Sequence, residues 1–226
     1  MKPKELDPPP PNRCRGWYAD MSQPGWAPLL VTVIGLGAIG REVALQLGAL
    51  GVRRLQLIDP GRITADDVTR HGFWPRDCGK LKGHVVRSAL QCLTANLRVD
   101  VICDCYRPQR RVGEAVFFCV DRALARTVVW KWLGTRTRFW CDGHARGESV
   151  RVLSATDIHS QERYVHAVFA TPATGPVATP SDPRTAVFTA RIAAGIMVHE
   201  FSRWIRRIPV HREVGLDLLA GEWTLV

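Results

Sequence analysis

At 226 residues, with 46% hydrophobic and 23% charged side chains, the chain reads as one soluble globular domain with room for a sizeable core. No apolar run approaches the roughly 20 residues that span a bilayer, and the opening "MKPKELDPPPPNRCRG" has no apolar segment for a signal peptide, so the expected location is cytoplasmic. The formal charge of +10 comes mostly from arginine, in clusters such as Arg107–Arg111 and Arg203–Arg207. It fits an acidic protein partner or a polyphosphate substrate. No helix-turn-helix, zinc finger or platform of interleaved aromatics is present, so nucleic acid is not the expected partner.

In chain order, residues 1–12 are proline-rich and expected to be extended or disordered. Residues 13–29 read as an irregular or short helical lead-in, and a single domain is expected over 13–226. "LLVTVIG" is short, β-branched and apolar on both faces, as a buried parallel strand requires. "REVALQLGALG" spaces Val43, Ala44, Leu47 and Leu50 as on a helix face, with Gly51 as its C-cap. "RRLQLID" is a second strand, completing a right-handed β-α-β unit. After a long connection, "PGRITADDVTRHGFWPRDCGK", come a helix (81–97) and strands at "VDVICDCY" and "AVFFCVD". A helix (122–134) and strands at "TRFWCDG" and "SVRVLSAT" follow. A Pro/Thr/Ala-rich segment (170–185) precedes a long apolar helix (186–207), which should pack deep against the sheet. "VGLDLLAGEWTLV" reads as a hairpin turning at Ala220-Gly221. The expected fold class is therefore α/β, Rossmann-like: a mostly parallel sheet flanked by helices, ending in an antiparallel hairpin.

Gly35, Gly37 and Gly40 form Gly-x-Gly-x-x-Gly at a strand-to-helix junction. The first allows a tight turn, the second lets phosphate approach the backbone, and the third lets helix pack on strand, with the helix N-terminus facing the anion. Asp59, nineteen residues beyond Gly40 at the end of the second strand, stands where an acceptor for ribose hydroxyls belongs. Two chemistries share this signature. A dinucleotide would imply hydride transfer; ATP would imply adenylation. The seven histidines are scattered and compose no evident hydride-transfer grouping. The seven cysteines include no Cys-x-x-Cys pair, which argues against zinc.

The run "GLGAIG…LIDPGRI…TRH…GKLKG…CVD" resembles the ThiF/MoeB/HesA family, whose fold is shared by the adenylation domains of ubiquitin-activating enzymes, over roughly residues 13 to 226. The resemblance implies an adenylyltransferase that uses ATP and Mg²⁺. Arg70 and Lys82 would neutralise ATP phosphates, and Asp121, at the carboxyl end of the fourth strand, would hold the metal. Arg15 (or Arg13) resembles an arginine that reaches into the neighbouring subunit's ATP site, which implies a homodimer. The implied substrate is the C-terminal glycine carboxylate of a small ubiquitin-like or sulfur-carrier protein.

Three departures matter. The family's usual Asn is Asp67 here, a carboxylate expected to repel phosphate unless Arg62 or Arg70 compensates. Arg122 follows Asp121 where Asn is frequent. The 170–185 segment lacks the cysteine that accepts the activated acyl group in many relatives. Cys119 reads as core, and Cys78 is a remote candidate nucleophile. These departures keep a second reading open, a non-catalytic partner or binding module for a ubiquitin-like protein. An NAD-dependent oxidoreductase is the third.

Overall fold

Leu30–Ile34 forms β1, with Val31, Val33 and Ile34 buried. A short β-branched run that is apolar on both sides is stable in the middle of a sheet covered on both faces. That is where the computed structural model, which describes residues 29–94, 96–169 and 185–226, places it. Strands β2 (Arg54–Ile58), β3 (Arg98–Ile102), β4 (Ala115–Phe118) and β5 (Phe139–Arg146) run parallel to it. β6 (Ser149–Ala155), β7 (Glu213–Asp217) and β8 (Glu222–Leu225) continue the sheet antiparallel. The strand order is β3-β2-β1-β4-β5-β6-β7-β8. The chain leaves β1 toward β2 and β3, then returns to the other side of β1 as β4. The gap between the carboxyl ends of β1 and β4 is thus the switch point where open α/β sheets bind ligands.

Helices cover both faces. α1 (Ala38–Leu50), α3 (Lys82–Leu93) and α6 (Thr185–Ile205) bury Val43, Leu47, Val86, Leu90, Ala193, Ala194, Met197 and Phe201 in one cluster. The long final helix packs deep, as its composition predicts. Gly143 in β5 makes this approach feasible, since a Cβ there would lie 2.3 Å from Met197 Sδ. α4 (Ala123–Leu133) and α5 (Ile158–Phe169) cover the other face, where Trp130 and Tyr164 pack on Phe118 and Trp140.

The structure departs from the expectations in several places. The long connection contains a two-turn helix, α2 (Ala65–His71), closed at its start by a capping box between Thr64 and Asp67. α5 has no counterpart among the predicted elements; Asp157 starts it by accepting from the Ser160 amide at 2.8 Å. The third strand ends at Ile102, so Cys103 and Cys105, inside the expected strand "VDVICDCY", lie beyond it. The C-terminal hairpin turns at Gly221 (φ 69) as expected. The antiparallel part is larger than that hairpin, because β5 and β6 also form one, through Gly147 (φ 60). Residues 1–28 and 170–184 lie outside the described residues, and with them Arg13, Arg15 and nearly all of the expected crossover segment. Among the described residues no helix is long and apolar enough to cross a membrane.

Candidate active site

The predicted glycine turn sits at the switch point. Gly35 has φ +88, and a Cβ there would meet the Cys119 carbonyl at 2.7 Å and Val120 Cγ2 at 2.8 Å, so the turn presses directly on the end of β4. At Gly40 a Cβ would lie 1.8 Å from the Gly35 carbonyl oxygen. No side chain can be accommodated, because the first turn of α1 is folded back on the strand exit. α1 begins after Gly37 with no side-chain cap and no acidic residue in its first turn. Its leading amides thus face the crevice without an internal acceptor, as an anion site requires.

Asp59 closes the crevice on the β2 side. Its Oδ2 accepts from the Leu36 amide and its Oδ1 from the Gly61 amide, both at 2.6 Å. The carboxylate ties the turn after β1 to the turn after β2. Each oxygen keeps a second acceptor position, so the expected ribose contact and this tie are compatible.

The charge of the site is arranged differently from the expectation. Asp67 does not stand in the crevice as a free carboxylate. It is 5% exposed, with Oδ2 accepting from the Thr64 amide and hydroxyl at 2.8 Å each and Oδ1 accepting from Lys82 Nζ at 2.6 Å. Burial raises its pKa, but the Lys82 and Thr64 hydrogen bonds outweigh this and bring it down to about 2. Lys82, not Arg62 or Arg70, supplies the compensating charge. Arg62 donates to the Gly79 carbonyl at 2.8 Å, and the half-exposed Arg70 pairs with Asp66 at 2.9 Å. Lys82 therefore lies at the rim of the crevice, its stem against Gly61, with its ammonium already partnered.

His71, one of the scattered histidines, stands beside the glycine turn as well. His71 Nδ1 lies 2.6 Å from Asp67 Oδ1, and its Cε1 would be 3.7 Å from a Cβ on Gly37. The ring is wedged between Asp67 and the glycine turn. The sequence signal was the i,i+4 spacing of Asp67 and His71 in a capped helical turn.

Asp121 lies just past β4, after Cys119 and Val120. It is exposed, and it makes no hydrogen bond or ion pair to a described residue. It does not cap the next helix, since Arg122 occupies the N-cap position without a side-chain bond. Among the described residues no cluster of three His, Cys, Asp or Glu could hold a metal by itself. A carboxylate with no partner among the described residues, beside the glycine turn, has donor chemistry that fits Mg²⁺, which is commonly held by one or two carboxylates together with substrate phosphates. Cys119 is buried against Gly40, and burial raises its thiol pKa well above the usual range, so it is core rather than nucleophile. Cys78 is exposed at the end of a 3₁₀ turn (Pro75–Asp77). A cavity of about 520 Å³ lined by Arg41, Phe73, Trp74, Arg76, Lys80 and His84 lies beside α1 and α3.

Solved structures share this architecture. E. coli MccB with MccA superimposes with a TM-score of 0.70 at 16% identity, covering 89% of this chain and 64% of that one. PaaA gives 0.69 at 17% with the same coverage, and E. coli MccB with ATP gives 0.69 at 13%, again over 89% and 64%. This chain thus spans a little under two thirds of the length of these neighbours. No curated protein matches by sequence. The family model described as "ThiF family" matches residues 20–223. With its glycine turn, Asp59 and Asp121 at one switch point, the chain belongs to the ThiF family.

Proposed function

We propose that this protein adenylates a carboxylate of a peptide or small protein, using ATP with Mg²⁺. The substrate proposed is the C-terminal glycine of a ubiquitin-like or sulfur-carrier protein. The observation that carries the reading is Asp121, exposed and without a hydrogen-bond or ion-pair partner among the described residues, across the switch point from the Gly35 turn. Membership in the ThiF family supports it, as do the folds of MccB solved with ATP and with MccA. The NAD-dependent alternative gains nothing from that membership.

In this reading the uncapped first turn of α1 receives phosphate oxygens, and Asp59 accepts from the ribose. Bound through Asp121, Mg²⁺ would supply charge neutralisation on the phosphates. Lys82 and Arg70 add positive charge to the same side, Lys82 by turning from Asp67 toward the nucleotide. The carboxylate nucleophile is already ionised at neutral pH, so no general base is needed. Its oxygen bonds to the α-phosphorus and pyrophosphate leaves. The protein's contribution is orientation and electrostatics. The proposed assembly is a homodimer in which Arg15 of one subunit completes the neighbour's site.

Hydroxylamine trapping tests this. ATP, a Gly-Gly-ending carrier and the protein should together give the carrier's C-terminal hydroxamate with one AMP per hydroxamate. The pairing of Lys82 with Asp67 favours a second reading, a binding module that holds nucleotide or carrier without reaction. Carrier binding without any hydroxamate would establish that reading and discard the first.

A further inference from the structure

Beside the crevice, on the face covered by α4 and α5, lies a buried polar group that the proposed reaction does not use. Asp142 of β5 is fully buried, and Arg126 of α4 is 4% exposed. Arg126 Nε donates to Asp142 Oδ2 at 2.6 Å, and Tyr164 of α5 donates its hydroxyl to the same oxygen at 2.7 Å. Burial pushes the Asp142 pKa up, but His144, Arg126 and Tyr164 outweigh it and hold the carboxyl below the usual carboxylate range. Burial and the adjacent carboxylate push the Tyr164 pKa up, so its proton stays in place. His144 flanks the pair, 3.4 Å from Arg126 Nη2 and 3.5 Å from Asp142 Oδ1.

The fork of Arg126 reaches out of this group in one direction. Nη2 donates to the Val120 carbonyl at 3.0 Å. Val120 immediately precedes Asp121, and its side chain presses on Gly35. The Cys119 amide is meanwhile tied to the Ile34 carbonyl at 2.8 Å. The turn bearing Asp121 is thus fastened on one side to β1 and on the other to a guanidinium that is itself clamped. A buried ion pair brings little net stability over well-packed apolar residues. One that spends a donor on a backbone carbonyl beside a functional carboxylate sets geometry.

We propose that Arg126, clamped by Asp142 and Tyr164, is a positioning residue that orients the Val120–Asp121 turn and so places the Asp121 carboxylate against the nucleotide-bound metal. This rests on the metal role of Asp121 given above. Lysine keeps the charge but lacks the planar fork that spans Asp142 and Val120 together, so Arg126→Lys is the informative variant.

The test is binding, read without turnover. α,β-Methylene-ATP affinity is measured without divalent cation, and Mn²⁺ affinity of the protein–analogue complex is measured by EPR, with a thermal melt for each variant. Arg126→Lys should keep metal-free analogue binding within about twofold of the parent chain and weaken Mn²⁺ binding about tenfold. Tyr164→Phe, which keeps the Arg126–Asp142 pair, should weaken Mn²⁺ about threefold, and it decides the matter if Arg126→Lys does not fold. Unchanged Mn²⁺ affinity in a folded variant overturns the proposal. A parallel loss of nucleotide and metal binding also overturns it, as general damage. Asp121→Ala separates the two levels: unchanged Mn²⁺ binding there removes the metal reading and the proposal with it. Mn²⁺ loss in Asp121→Ala alone leaves the metal reading standing and sinks only the role of Arg126.

Discussion

Lys82 Nζ and Asp67 Oδ1 are 2.6 Å apart, a closed ion pair at the edge of a crevice that should receive a polyphosphate. The side chains are 13% and 7% exposed, so water screens the pair weakly. Removing the carboxylate frees the ammonium without removing the Thr64 cap, because an amide oxygen still accepts from the Thr64 amide. Asp67→Asn should therefore tighten ATP binding about fivefold to tenfold, a gain of roughly 1–1.4 kcal/mol. Isothermal titration checks this, and weaker binding in the variant would show that Asp67 organises Lys82 for the phosphates.

The same carboxylate sets an acid limit. Its pKa is about 2 in the folded chain against 3.8 for the ordinary group. A lowered folded pKa contributes stability that is present above the unfolded value and lost as pH falls through the folded value. Between pH 4 and pH 2 the parent chain should lose about 2 kcal/mol more than Asp67→Asn. Urea unfolding of both at each pH measures the difference, and parallel curves would remove Asp67 from the acid limb.

Asp59 joins two backbone turns through both oxygens. Asn offers one acceptor oxygen, so Asp59→Asn leaves either the Leu36 or the Gly61 amide without its bond. The expected cost is about 1–2 kcal/mol, with at least a tenfold loss of nucleotide affinity. A thermal melt and a nucleotide titration separate the two effects. Full affinity in the variant would confine Asp59 to the tie.

Gly40→Ala should cost on the order of 3 kcal/mol or more, since its Cβ would overlap the Gly35 carbonyl at 1.8 Å and neither backbone can retreat. Gly221→Ala, also at positive φ but with open space around it, should cost about 1 kcal/mol. Equal losses in denaturant titrations would mean that the turn at the switch point is looser than described.

Much of this was legible in the sequence. Apolar strands alternating with helices, punctuated by Gly51 and by the glycine turn, declare the parallel α/β half, because burial on both faces leaves an unmistakable run. The positions of Asp59 and Asp121 just past strand ends beside the switch point were legible, because the apolar runs that precede them mark where β2 and β4 stop. Partnership was not. Lys82 meets Asp67 across a polar connection of 15 residues, His71 meets a glycine turn that belongs to an earlier element, and Arg126 reaches back six residues to Val120; none of these contacts leaves a local apolar pattern. α2 escaped because its seven residues show little apolar periodicity. Asp142 escaped because a charged residue that follows the apolar start of β5 looks like a strand end, whereas here it is the buried anchor of three other side chains.

ATP–pyrophosphate exchange with Gly-Gly-ending carriers, run on the parent chain and on Asp121→Ala, tests the central claim most directly. The account predicts carrier-dependent exchange that falls at least a hundredfold in the variant while carrier binding persists. Exchange that is undiminished in Asp121→Ala, or absent from the parent chain while ATP and carrier both bind, would contradict it.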